Sequence, residues 1–126
     1  MRRASLLLAG FLLLSACAAP ARPGSPTTAP SAADAVTVHV LDFKILPVDI
    51  TVRGPRVTLI VINDGPTVHN VTIRDSSGKL QFATRDLRPG ETETISGTLT
   101  KGRYVTFCSL PGHESLGTKG SLTVTG

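Results

Sequence analysis

The sequence has few side chains suited to metal or redox chemistry: two cysteines, three histidines and one methionine among 126 residues. The methionine is Met1, so the rest of the chain has no thioether to offer a metal. Charge is also sparse, because Asp, Glu, Lys and Arg make up only 17% of the residues and the formal net charge is +4. No cluster of Lys and Arg is interleaved with aromatic residues, so the sequence gives no support to nucleic-acid binding.

The first residues have the pattern of a secretory signal. Arg2 and Arg3 form a short basic stretch, and residues 6–14 are almost entirely apolar. This stretch is shorter than the roughly 20 residues that a membrane-spanning helix needs, and it therefore indicates a signal peptide. Leu14-Ser15-Ala16-Cys17 resembles the bacterial lipobox, in which the chain is cut before a cysteine that carries a diacylglycerol.

We therefore expect a signal peptide at residues 1–16, lipid attachment at Cys17, and a domain held outside the cytoplasm on the bacterial membrane by its acyl chains. The alternative is an ordinary signal peptide, cut near Ala16 or Ala19, with Cys17 incidental. Residues 17–34 are rich in Pro, Ala, Ser and Thr and have no apolar periodicity. This composition predicts a semi-extended tether between the anchor and the domain.

Residues 35–126 have the length of one domain with a single core. Short apolar runs rich in Val, Thr, Ile and Leu, separated by Gly and Pro, predict about eight strands and hence an all-β sandwich or barrel. The predicted strands are Val36–Val40, Ile50–Val52, Val57–Ile62, His69–Ile73, Leu80–Phe82, Glu91–Leu99, Arg103–Phe107 and Gly120–Val124. Residues 84–87 could form a short helical turn.

Two separated motifs carry the candidate chemistry. Cys108 and His113 form a Cys-x4-His pattern at the end of a strand, and His69-Asn70 lies far upstream. Two imidazoles and one thiolate in a trigonal arrangement suit copper. A lone Cys108 thiol in an oxidising compartment would be prone to oxidation unless it were buried or bound to a metal. Together the motifs predict a mononuclear copper site.

These residues resemble the small blue copper proteins, the cupredoxins, in the plastocyanin, pseudoazurin and amicyanin branch. The segments that carry the resemblance are Val57–Asn63, Val68–Val71, Leu87–Thr92, Gly102–His113 and Gly120–Val124. The resemblance implies a Greek-key β-sandwich that binds one copper ion through His69, Cys108 and His113. It also implies that Asn70 and Ser109 connect the two ligand loops, with the Asn70 amide directed at the thiolate.

The sequence departs from the family at the axial position. Family members usually have a methionine five positions after the loop histidine, and Thr118 stands there in this chain. The hydroxyl could donate weakly to copper, hold a water or stay clear of the metal. If it stays clear, we expect a higher midpoint potential than in a Met-ligated relative, and if an oxygen binds Cu(II), the sign reverses.

The resemblance implies one-electron transfer between redox proteins at the outer face of the membrane. In the family, partners dock on an apolar patch above the loop histidine, which here corresponds to Pro66, Leu110, Pro111 and Leu116. These residues could instead serve only to shape the loop. We expect a monomer.

A copper carrier or buffer without a redox role is the alternative function, although carriers are often rich in methionine. A metal-free adhesive sandwich is a further alternative, and it would not need both halves of the ligand set. A copper enzyme would need a second centre with more histidines, and only His39 remains, so we expect no enzyme. We interpret His39 as structural or exposed, Glu114 as surface charge, and Asp42 as a turn residue without a chemical role.

Overall fold

Residues 35–126, the part of the chain that the computed structural model describes, form nine β-strands and no α-helix. The strands are β1 (Ala35–Leu41), β2 (Lys44–Leu46), β3 (Asp49–Arg53), β4 (Arg56–Asn63), β5 (Thr72–Asp75), β6 (Leu80–Ala83), β7 (Thr92–Thr98), β8 (Gly102–Phe107) and β9 (Lys119–Thr125). The predicted all-β sandwich is confirmed, with nine strands where the sequence pattern indicated about eight. The predicted signal peptide, the lipidated Cys17 and the tether lie outside the described residues.

The strands form two sheets. One has four strands in the order β2-β1-β4-β7, and the other has five in the order β3-β9-β8-β5-β6. Two neighbouring pairs, β1 with β4 and β3 with β9, are parallel, and all other pairs are antiparallel. The parallel pairs join strands distant in sequence, as in the Greek-key topology that the resemblance implies. Among these residues, no helix is long and apolar enough to cross a membrane.

The core lies between the sheets and is built from alternating aliphatic side chains. On β4, Val57, Leu59 and Val61 are at most 1% exposed, as expected for a strand in the middle of its sheet. Gly97 on β7 leaves room for the ring of Phe82 on the opposite sheet, because a Cβ at this glycine would collide with that ring. Close contact between the sheets excludes water from the core and gives the loops at the sandwich ends a rigid support.

Three local predictions were wrong. The strand β2 was missed because it has only three residues, and it pairs with β1 through a two-residue turn at Asp42-Phe43. That turn places Phe43 at a φ of 64°, a conformation for which a phenylalanine gives no sequence signal. His69 is not in a strand, since β5 begins at Thr72 and His69 makes only an isolated bridge with Leu87. Residues 84–87, for which the sequence allowed a short helical turn, form no helix and end at this bridge.

Candidate metal centre

Three predicted ligands meet at one end of the sandwich. His69 belongs to the loop between β4 and β5 (residues 64–71, the first ligand loop), whereas Cys108 and His113 belong to the loop between β8 and β9 (residues 108–118, the second ligand loop). Their ligand atoms all lie within 4.8 Å of one another. Nδ1 of His113 is 3.4 Å from Sγ of Cys108 and 3.1 Å from Nδ1 of His69. The Nδ1 atoms of the two histidines therefore face each other, and that of His113 also faces the thiol.

Main-chain and side-chain hydrogen bonds hold the first ligand loop. The amide of His69 donates to the Leu87 carbonyl at 3.1 Å, and the Leu87 amide donates back at 2.7 Å. The fully buried Asn63, at the end of β4, donates from Nδ2 to the carbonyls of Thr67 and Leu87, each at 2.8 Å, and accepts the Gly65 amide at 2.9 Å. In the sequence, Asn63 ends the segment Val57–Asn63 that carries the family resemblance, and no role at the site was assigned to it. In the structure it donates to two main-chain carbonyls and accepts one amide, and so provides hydrogen-bond partners for main-chain groups at this loop.

Asn70 connects the two ligand loops. Its Oδ1 accepts the Ser109 amide at 2.8 Å, and its Nδ2 donates to the Ser109 hydroxyl at 2.9 Å and to Asp86 at 2.8 Å. Its amide lies 3.4 Å from Sγ of Cys108, within reach of a hydrogen bond to sulfur. Residues 69 and 108 are therefore held at a fixed spacing from both sides, and a backbone N–H points at the position of the thiolate charge.

Turns and one ion pair shape the second ligand loop. The His113 amide donates to the Leu110 carbonyl, and the Thr118 amide donates to the His113 carbonyl. Glu114 forms a two-point ion pair with Arg74 of β5, with N–O distances of 2.9 and 2.5 Å. This partner holds the pKa of Glu114 below its ordinary value and that of Arg74 above it. Glu114 thus ties the loop to the sheet and does not join the three ligands.

Thr118 lies beside both ligands of its loop and is fully buried. Its amide is bonded to His113 as above, and its carbonyl accepts the amide of Cys108 at 3.0 Å. Its hydroxyl has no hydrogen-bond partner among the described residues, and the same is true of the buried Thr106 on β8. A buried hydroxyl without a partner is unfavourable by about 1–3 kcal/mol. Thr118 is the residue for which the sequence predicts the axial position.

The outer nitrogen of His69 contacts a carboxylate that the sequence analysis dismissed. Nε2 lies 2.7 Å from Oδ1 of Asp42 and 3.2 Å from the hydroxyl of Thr67, which itself donates to Asp42 at 2.7 Å. Hydrogen bonds from His69 and then Thr67 lower the pKa of Asp42 below its ordinary value. Asp42 does lie in a turn, as predicted, but the turn brings it against a ligand. No local motif marks such a contact between distant loops.

The other singled-out residues lie around this centre. His39 is paired with Asp64 at 2.5 Å, both half-exposed, and is not part of the ligand group. Pro111 and Leu116 line a shallow hollow of about 300 Å³ together with His113 and Phe43. Of the remaining predicted docking residues, Pro66 is exposed on the first ligand loop and Leu110 is half-buried.

The donor set fits one copper ion. A thiolate and two imidazoles form the trigonal combination typical of blue-copper sites, and the cysteine is fully buried while one imidazole is 1% exposed. The Asn70 amide near sulfur and the Asp42 carboxylate on His69 are contacts from outside the ligand set, of the kind that orient metal ligands. His69, Cys108 and His113 therefore form a site for one copper.

Comparison with known proteins gives a family model and several similar folds. A model described as a cupredoxin-like domain matches residues 4–124. Similar solved structures include a dithionite-reduced auracyanin from Roseiflexus castenholzii, with a TM-score of 0.67 and 22% identity over 74% of this chain and 98% of that one. An azurin from Methylomonas sp. strain J has a TM-score of 0.66 and 21% identity over 75% of this chain and 100% of its own.

A purple cupredoxin from Nitrosopumilus maritimus is also similar, with a TM-score of 0.57 and 20% identity over 71% of this chain and 99% of that one. At these identities the solved structures show the shared fold. No curated protein sequence matches this chain.

Proposed function

Because the chain belongs to the cupredoxin-like family, we propose that it is an electron-transfer protein that shuttles one electron through a mononuclear type 1 copper site. The proposal places it at the outer face of a bacterial membrane, anchored through a lipidated Cys17, and acting as a monomer without enzymatic activity. The observation that carries the proposal is the convergence of one buried thiol and two imidazole nitrogens within 4.8 Å.

The network around the ligands suits rapid electron transfer. Copper held there would supply the redox chemistry by alternating between Cu(I) and Cu(II). Asn70, Ser109 and the Leu87 bridge fix His69 and Cys108 whatever the charge of the site. Ligands that stay in place require little rearrangement when an electron moves, because the surroundings are already organised for both states.

Redox partners would dock above His113. This ring is only half-buried, and it lines a hollow shared with Leu116 and Phe43, which are 61% and 56% exposed. Exposed apolar side chains grouped beside a cofactor site are suited to transient contacts. We propose Leu116 and Pro111 as the centre of this surface, with Pro66 and Leu110 at its margin.

Thr118 would occupy the axial position as a weak oxygen donor. The support is its buried hydroxyl, which lacks a partner among the described residues, and its main-chain bonds to both ligands of its loop. An oxygen donor is hard and favours Cu(II) over Cu(I). Of the alternatives raised by the sequence, a hydroxyl in contact with the metal therefore becomes the one that we propose.

Adding Cu(II) to the purified protein tests the function. We expect an intense thiolate-to-copper absorption band in the visible, with an EPR signal of one Cu(II), and both are lost on reduction and recovered on reoxidation. In Cys108→Ser the band is absent, whereas His39→Gln, which changes the non-ligand histidine, keeps it. Copper bound without this band, or lost on each reduction, would instead favour the carrier or buffer function.

A further inference from the structure

One ligand of the proposed copper site has a charged partner on its far side. The ring of His69 is 1% exposed and bridges two groups, with Nδ1 directed at His113 and Nε2 at Oδ1 of Asp42, 2.7 Å away. A neutral imidazole carries one N–H, and a carboxylate can only accept. The contact with Asp42 therefore places the proton on Nε2 and leaves the lone pair of Nδ1 facing the ligand group.

We propose that Asp42 is a positioning residue for the copper site, which fixes the tautomer and ring orientation of His69 and, through its negative charge, favours Cu(II) over Cu(I). This inference rests on the proposed function and adds a determinant of the redox potential. Carboxylates that accept a proton from a metal-ligating histidine raise the basicity of that ligand. A fixed negative charge near the metal favours the ion of higher charge.

The contact belongs to a built arrangement of three segments. Asp42 lies in the tight turn between β1 and β2, where Leu41 pairs with Lys44 and the backbone has little freedom. Thr67 donates to the same Oδ1 at 2.7 Å, so the carboxylate is held from a second side. Gly65 covers the pair, since a Cβ at that glycine would lie 3.1 Å from Nε2 of His69 and 3.2 Å from Oδ1 of Asp42.

Two substitutions separate the charge from the hydrogen bond. Asp42→Asn keeps a carbonyl oxygen that can accept from Nε2 and Thr67, but it removes the charge. Asp42→Ala removes both. Asp64→Asn is the matched control, because Asp64 loses the same charge at the start of the first ligand loop but pairs with the non-ligand His39.

The first measurement is the midpoint potential of the copper-loaded full-length protein. We expect Asp42→Asn to shift the ratio of Cu(I) to Cu(II) affinity by about tenfold towards Cu(I), which is ~59 mV upwards for a one-electron couple. Asp64→Asn should shift it clearly less. Equal shifts in the two Asn variants would overturn the role of the Asp42 charge, because only a distant electrostatic effect would remain.

The second measurement needs no copper. Nitrogen-15 NMR of the metal-free protein should show His69 as the Nε2–H tautomer in the wild type and in Asp42→Asn, and a mixture of tautomers in Asp42→Ala. An Nδ1–H tautomer in the wild type would overturn the positioning role. If the tautomer is as expected but no charge-transfer band forms with copper, then the electron-transfer function fails while the hydrogen bond to Asp42 stands.

Discussion

The two histidine ligands occupy very different surroundings. His69 is 1% exposed, is bonded through its main chain to Leu87 in both directions, and has Asp42 and Thr67 at its outer nitrogen. His113 is half-buried on a loop of turns, and in the described part of the chain its ring makes its polar contacts through Nδ1.

This contrast assigns different tasks to the two ligand loops. The end of the first ligand loop that carries His69 is buried (residues 69–71), and we propose that Asp42 acts electronically on this ligand. The second ligand loop supplies the thiol from the interior and a histidine at the surface, beside exposed apolar side chains. An electron carrier needs both, because the ligand geometry has to persist while one edge of the site comes close to a partner.

Removing each histidine ligand in turn should have the largest effect and should reveal the difference between the two ligands most clearly. His69→Gly and His113→Gly should each lose the thiolate-to-copper band, because one of three ligands is gone. External imidazole should restore the band of His113→Gly at a lower concentration than that of His69→Gly, since the His113 side chain is half-buried whereas His69 is only 1% exposed. The measurement is a titration with imidazole followed by visible absorption. Equal concentrations for the two variants would contradict the contrast in accessibility.

Removing the connection between the loops should cost the most stability. Asn70→Ala deletes the side-chain hydrogen bonds to Ser109 and Asp86 and leaves the part-buried amide of Ser109 without its acceptor. We expect a loss of about 2–3 kcal/mol in the free energy of unfolding, measured by urea denaturation of the metal-free protein. Ser109→Ala is the control and should cost less, because its exposed side chain can be replaced by water. If Asn70→Ala lowers the free energy of unfolding no more than Ser109→Ala does, then the hydrogen bonds of Asn70 are not a main source of stability.

Substituting two buried threonines in turn should distinguish a hydroxyl that is only buried from one that contacts the metal. Thr118→Val and Thr106→Val each remove a buried hydroxyl that has no hydrogen-bond partner within residues 35–126, so each should raise the unfolding free energy of the metal-free protein by about 1 kcal/mol. Only Thr118→Val should change the absorption spectrum and raise the midpoint potential, since the lost oxygen favours Cu(II). An unchanged copper spectrum in Thr118→Val would show that the hydroxyl stays clear of the metal, and Thr118→Met should then lower the potential.

The ion pair of the second ligand loop should have the smallest effect. Arg74 and Glu114 have side chains that are 28% and 32% exposed, and such pairs contribute about 1 kcal/mol or less. Glu114→Gln should therefore lower stability only slightly, but broaden the copper EPR signal as the loop around His113 loosens. The control is Glu93→Gln, on the other sheet. Identical EPR spectra for the two variants would show that the ion pair between Arg74 and Glu114 does not hold the second ligand loop in place.

The sequence predicted the strands and the ligand loop that have a local sequence pattern. Short apolar runs around Val38, Leu59 and Leu122 predicted core strands, and the Cys-x4-His pattern after the strand at residues 103–107 predicted the second ligand loop. His69 and Asn70 were predicted to belong to a strand because residues 69–73 alternate between apolar and polar side chains. In the structure His69 forms only an isolated bridge with Leu87, and the Asn70 side chain accepts the Ser109 amide, which the alternation does not reveal.

Asp42 was missed for a different reason. Its contact with His69 depends on the turn between β1 and β2. The strand β2 has only three residues, and Phe43 in the turn has a positive φ. Neither feature leaves a periodic signal, and the parallel pairing of β1 with β4 that brings the turn to the ligand loop is a long-range contact. The fold has to be known before the carboxylate can be placed.

The central claim is that His69, Cys108 and His113 hold one copper that exchanges a single electron without rearrangement. A spectroelectrochemical titration of the copper-loaded protein tests it most directly. We expect one reversible one-electron transition, in which the thiolate-to-copper band fades and returns along the same curve in both directions. Hysteresis, release of copper on reduction, or no band at all would contradict it.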